Sequence, residues 1–236
     1  MISDVATEST TQEASQGVQY SQEQMARLKD LAERSLYIFS KGILGYDWLT
    51  DDIHRPLCRL LQDDSNTRLR IVLPRGWLKS TIASISLPLW LGVRNPNIRI
   101  LIAQNTFTNS CKKLAAIKAQ VEDNQLLRLL WPHVLPDKHC TWKTEALCLK
   151  RTESHPENTF EAAGTRTKVT SRHYDVIIED DTVAPDLDDL SMTNMCPTKE
   201  DVEQAIGWHR LVLPLLVNPK SSRNIIVGTR WFMEDL

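Results

Sequence analysis

Four short apolar runs, each closed by a polar turn, restrict the architecture open to this chain. They are residues 69–73 (LRIVL), 98–103 (IRILIA), 174–178 (YDVII) and 224–227 (NIIV). Runs this short and this rich in Ile and Val fit buried strands. Between them the periodicity turns helical. Residues 105–122 carry Leu114, Ile117 and Val121 as a stripe, with Asn105 or Thr106 as the cap and Lys112, Lys113 and Lys118 mostly off the stripe. Residues 80–92 form a second helix, which Pro88 is expected to kink or shorten. Residues 201–217 form a third, and weaker strands fall at 146–149 and 159–163. Alternation of this kind predicts an α/β fold: a mainly parallel central sheet with helices on both faces. In such sheets ligands bind beyond the carboxyl ends of the strands, so the residues that follow each run carry the functional argument.

The remainder of the chain divides around that core. Residues 1–24 are rich in Ser, Thr, Gln and Glu and read as a flexible tail. Residues 25–66 form an N-terminal helical segment. One helix is expected from Gln22 to about Phe39, with Met25, Leu28, Leu31, Ala32 and Leu36 on one side. A second, over 51–61, places Ile53, Leu57, Leu60 and Leu61 on one face. Residues 67–236 are then the core. Hydrophobic residues at 42% and charged residues at 25% exclude a collagenous, coiled-coil or wholly disordered chain. No run approaches the ~18 apolar residues of a membrane span. The first ten residues lack the basic start and apolar centre of a secretory signal. Five widely spaced cysteines without a C-x-x-C pair read as free thiols in a reducing compartment. His133, His139, Cys140 and His155 match no common zinc spacing. A net charge of −2 and a pI near 6.3 give no global basic signature, so contact with nucleic acid would be local or made by an assembly.

Three loops follow the strands. The first is Pro74-Arg75-Gly76-Trp77-Leu78-Lys79-Ser80-Thr81, between a strand and a helix. A phosphate site needs backbone N–H groups at a helix start, a Lys for the β/γ-phosphates and a hydroxyl for Mg²⁺. Lys79 and Ser80 meet the last two needs in order, although Leu73 and Leu78 occupy the two glycine positions of the strict pattern. The second loop is Glu179-Asp180-Asp181, directly after YDVII. A strand ending in adjacent carboxylates suits Mg²⁺ binding and the positioning of water. The third is Gly228-Thr229-Arg230-Trp231, where a Thr could sense a γ-phosphate. Upstream of the acids, Arg166 and Arg172 lie in GTRTKVTSRHYD, where they read as solvated loop charges, an arginine finger for a neighbouring subunit, or a DNA contact.

The helix carrying His54, LPRGWLKST, YDVIIEDD and IIVGTRWFMEDL together resemble the ATPase domain of the large terminase subunit of tailed bacteriophages, across residues 48–236. The resemblance implies an additional-strand, RecA-like P-loop fold with ATP and Mg²⁺ as cofactors. It implies packaging of double-stranded DNA by a homo-oligomeric ring at the portal protein, alongside a small terminase subunit, in the host cytoplasm and without a membrane. Carried over residue by residue, Arg75, Gly76, Trp77, Leu78, Lys79, Ser80 and Thr81 would bind ATP. Ser80 and Asp180 would hold Mg²⁺, and Arg75 would stabilise charge at the γ-phosphate. Asp181 would polarise water, with Glu179 as a competing carboxylate, and Gly228, Thr229 and Arg230 would couple hydrolysis to movement. Arg172 is the first candidate for a trans-acting arginine. The family's separate nuclease domain would begin after GTRWFMEDL and is expected to be absent. Asp186, Asp188 and Asp189 offer no second strand to build such a site. Two alternatives stay open: another RecA-like, nucleic-acid-dependent ATPase or helicase fragment, and a nucleotide-binding assembly module without turnover.

Overall fold

A computed structural model of the chain describes residues 21–136, 140–184 and 196–230. In chain order the strands are β1 (Arg68–Val72), β2 (Ile100–Gln104), β3 (Trp142–Lys143), β4 (Ala146–Leu147), β5 (Phe160–Gly164), β6 (Val176–Asp180) and β7 (Arg223–Gly228). The helices are α1 (Gln22–Arg34), α2 (Leu36–Ile38), α3 (His54–Gln62), α4 (Lys79–Thr81), α5 (Leu87–Arg94), α6 (Phe107–Asp123), α7 (Gln125–Leu130) and α8 (Lys199–Val212). The seven strands form one mixed, mostly parallel sheet in the order β1-β7-β6-β2-β5-β4-β3. The first five are mutually parallel, and β4 and β3 add an antiparallel hairpin edge. The fold is therefore α/β, as the alternation of runs and helices requires.

Side-chain alternation divides the core. Ile100, Ile102, Val176, Ile178, Ile225 and Val227 face α5 and α6. Leu101, Ala103, Ala163 and Ile177 face Trp208 and Val212 of α8. Helices thus cover both faces. The N-terminal segment belongs to the first layer: Ala32, Leu36, Phe39, Leu57 and Leu61 share a continuous core with Ile82, Leu89 and Trp90. The Trp90 indole donates to the Ala32 carbonyl at 2.9 Å.

Several boundaries differ from the sequence expectation, each for a local reason. Helix α1 does start at Gln22 as expected, because Ser21 and Gln24 form a reciprocal capping box. Residues 22–24, polar enough to read as tail, are therefore its first turn. That helix ends at Ser35, whose extended backbone breaks the expected continuous run to Phe39; Leu36–Ile38 restarts it and leads into a π-helical turn at Phe39–Ile43. The expected helix over 80–92 is not one regular helix. A π-helical turn at Ile82–Ser86 joins α4 to α5, and Pro88 is the second residue of α5. Helix α8 opens earlier than expected, through a Thr198–Asp201 capping box. It yields at Pro214 to a 3₁₀ turn, Leu213–Leu215.

The largest consequence concerns β6. The strand does not stop at Ile178 but runs through Asp180, because Glu179 and Asp180 pair with Ile226 and Val227 of β7. Tyr174, at its start, makes only an isolated bridge to Leu216. Two of the three acids therefore obey strand alternation and point to opposite faces. Among the described residues no helix is long and apolar enough to cross a membrane.

Candidate phosphate and metal site

Strand β1 delivers the chain to residues 74–78, and α4 begins at Lys79. The turn is made with positive φ at Gly76 (82°) and Leu78 (53°). Gly76 takes that conformation freely; Leu78 does so against its Cβ, in the position where the strict phosphate-loop pattern has glycine. Backbone held this way exists because neighbours determine it: Leu78 packs against the first-layer core. Residues 75–81, with Asp181 and Ala184, line an open cleft of about 380 Å³. Trp77 lies in its wall, 40% exposed.

At the floor of the cleft the distant loops meet. Lys79 is buried, and its Nζ donates to Thr229 Oγ1 at 2.9 Å and lies 3.8 Å from Asp181 Oδ2. Ser80 Oγ donates to Asp180 Oδ1 at 2.7 Å. Asp181 follows β6 with φ of 48°, donating its N–H to the Val227 carbonyl at 2.8 Å and accepting the Thr229 N–H at 3.1 Å. Burial pushes the Asp181 carboxyl above the usual aspartate range, and the neighbouring Asp180 pushes it the same way, against the pull of Lys79.

Asp180 is fully buried, so both its oxygens must find partners. Oδ1 takes Ser80, and Oδ2 accepts Gln104 Nε2 at 3.0 Å and stands 3.7 Å from Lys113 Nζ. Neither Gln104 nor Lys113 is singled out in the sequence, yet signals exist. Gln104 closes the apolar run of β2 as Asp180 closes β6. Lys113 is three residues after buried Ser110 and four before buried Ile117, which puts it on the inner side of α6. It flanks the buried stripe rather than facing open solvent; its side chain is 23% exposed.

A scan against protein-family models finds no match to this chain, and a comparison with curated proteins finds none either.

The sequence-derived candidates fall into two groups. Lys79, Ser80, Asp180, Asp181 and Thr229 are brought together, with Arg75, Gly76, Trp77, Leu78 and Thr81 lining the same cleft. Gly228 ends β7 and its carbonyl accepts from Leu73, while Arg230 lines a small recess with Asp181 and Thr229. Glu179 is not brought to the loop. Alternation turns it to the α8 face, fully buried, where His209 Nδ1 (2.8 Å) and Asn224 Nδ2 (2.6 Å) contact its Oε1. The hydrogen bond from His209 to Glu179 holds the imidazole above its usual pKa. Arg172 is also elsewhere: it pairs with Glu161, which accepts the Tyr174 hydroxyl at 2.6 Å, on the approach to the amino end of β6. Arg166, just past the carboxyl end of β5, lines a cleft of about 230 Å³ with Thr106, Thr182 and Asp201. Asp186, Asp188, Asp189, Trp231 and His139 lie outside the described residues. His133 bonds the Val93 carbonyl and His155 contacts Glu153, and among the described residues no group of three or more His, Cys, Asp or Glu could hold a metal.

Proposed function

We propose that the chain is a Mg²⁺-dependent P-loop ATPase with a RecA-like core, and that it drives double-stranded DNA into a viral procapsid as a large-terminase ATPase domain. The observation that carries the ATPase reading is the 2.7 Å hydrogen bond joining Ser80 of the phosphate loop to Asp180 of the acidic strand. The strand order supports it: β7, which leads into Thr229, lies between the phosphate-loop strand β1 and the acidic strand β6. An additional strand of a RecA-like core, as the resemblance implies it, would take that position. The packaging reading rests on the sequence segments at 48–236 that resemble the terminase family; its ring, portal and small-subunit partners are proposed with it.

The residues suit a magnesium nucleotide. Mg²⁺ wants hard oxygen ligands, dehydrates reluctantly, and is usually held by one or two protein groups plus phosphates. A hydroxyl and a carboxylate already in contact are such a pair, and a larger protein cage is not required. When bound, the ion neutralises charge developing on the phosphates. Lys79 and Arg75 bind the phosphate chain, and the N–H groups opening the loop helix favour an anion there. Asp181, poised by burial toward a higher pKa, orients water and accepts its proton. Thr229 touches both Lys79 and Asp181, so it registers what either one binds.

The test is steady-state ATP hydrolysis by wild type and Lys79→Ala, each with and without double-stranded DNA. Turnover that Lys79→Ala abolishes and DNA stimulates is expected. Equal turnover in both proteins overturns the site, and turnover indifferent to DNA overturns the packaging role.

A further inference from the structure

We propose that Lys113, on α6, is the residue by which this site distinguishes a nucleoside triphosphate from a diphosphate; the proposal rests on the phosphate-site reading above. Asp180 is fully buried, and a buried carboxylate needs a compensating charge. Ser80 and Gln104 supply hydrogen bonds to it, but the cation on it is Lys113, 3.7 Å from Oδ2. This lysine comes from neither the phosphate loop nor a strand end. It is held inward by the turn of α6 between Ser110 and Ile117, both fully buried, and α6 packs against the π-helical turn that continues the loop helix.

Two lysines therefore face two carboxylates: Lys79 stands beside Asp181 and Lys113 beside Asp180. A divalent cation taken up by Ser80 and Asp180 does the work Lys113 did and repels its ammonium. Mostly buried, that ammonium then needs another anion close by. The anion that arrives with the metal is the phosphate end of the nucleotide, and a triphosphate brings one more negative charge than a diphosphate. Lys79 and Arg75 serve the phosphate chain; Lys113, released from Asp180, gains its counter-charge from the further phosphate that a triphosphate carries. A charge-assisted hydrogen bond of this kind corresponds to a change of about tenfold or more in affinity.

Isothermal titration of wild type, Lys113→Met, Lys113→Arg, Lys112→Met and Lys79→Ala, with Mg²⁺ and either ADP or a non-hydrolysable ATP analogue, tests this. Lys113→Met is expected to lose about tenfold or more in triphosphate affinity and less than about twofold for ADP. Lys113→Arg should restore the preference. Lys112→Met, whose lysine is exposed and bonds Asn109, should match wild type. Equal losses for both nucleotides in Lys113→Met would reduce Lys113 to a structural partner of Asp180 and overturn the proposal, as would an unchanged triphosphate affinity. If Lys79→Ala weakens both nucleotides while Lys113→Met changes nothing, this inference alone fails. If wild type binds neither nucleotide, the phosphate-site reading fails with it.

Discussion

Ser80 and Asp180, one hundred residues apart in the chain, are joined by a 2.7 Å hydrogen bond in which the hydroxyl donates to a fully buried carboxylate. Each is one half of the divalent-metal site proposed above. Asp180→Asn keeps the shape but removes the charge a cation needs. Its Mg²⁺-dependent nucleotide affinity should fall by about tenfold or more, with turnover lost. Titrating nucleotide with and without Mg²⁺ checks this: a variant as Mg²⁺-sensitive as wild type would remove Asp180 from the metal site.

Asp181→Asn should separate stability from activity. Burial and Asp180 raise the Asp181 carboxyl above its unfolded value. Its ionisation thus opposes folding at every pH above the ordinary aspartate range, and the cost vanishes only in acid, where both states are protonated. Asparagine keeps an acceptor for the Thr229 N–H and carries no charge. The ligand-free variant should melt at a higher temperature than wild type at pH 7. It should bind nucleotide and turn it over roughly 10²–10⁴-fold more slowly. A variant that is both less stable and fully active would contradict this assignment.

His209→Gln should destabilise the chain in a pH-dependent way. The hydrogen bond that His209 donates to Glu179 raises the imidazole's folded pKa above the unfolded value. A raised cationic group contributes stability that is complete below the unfolded pKa, near 6.5, and lost as pH rises through the folded one. Removing a hydrogen bond to a charged group costs about 1.5–3 kcal/mol. Urea melts at pH 6 and pH 8.5 should give the larger penalty at pH 6; equal penalties would mean that Glu179 does not depend on the imidazolium.

Gly164→Ala should be among the most damaging small substitutions. A Cβ there would fall 2.4 Å from the backbone nitrogen of Phe107, at the first residue of α6. Backbone cannot swing aside as a side chain can, so α6 would have to shift, at about 1–3 kcal/mol or more. Because α6 carries Lys113, nucleotide affinity should fall along with the melting temperature. A melt within a degree of wild type would show that the approach of α6 to β5 is looser than this.

If the proposed ring supplies an arginine in trans, Arg166 is better placed than Arg172. Arg166 opens onto a cleft just past the carboxyl end of β5, whereas Arg172 is tied to Glu161 near the amino end of β6. Specific activity should then rise with protein concentration, and Arg166→Ala should flatten that rise by about 10³-fold or more. Arg172→Ala should act mainly on stability. Concentration-dependent turnover lost only in Arg172→Ala would reverse the order.

The sequence by itself determined the architecture and most of the cleft. Apolar runs near 69–73, 98–103, 174–178 and 224–227 are short and rich in Ile and Val, which suits buried strands, and helices between them make the sheet mainly parallel. Lys79, Ser80, Asp180, Asp181 and Thr229 follow those runs, so their convergence at one sheet edge is a consequence of topology. Tertiary structure decided what local pattern leaves open. In one dimension Glu179, Asp180 and Asp181 are equivalent neighbours; pairing with β7 extends β6 through Asp180, and strand alternation then sends Glu179 to His209 and Asp180 to Ser80. Gln104 and Lys113 acquire their roles only because β2 lies beside β6 and α6 packs next to the loop helix. A periodic pattern can tell that a lysine flanks a helix's buried stripe, but which carboxylate stands opposite depends on strand order, and strand order is set by long-range pairing.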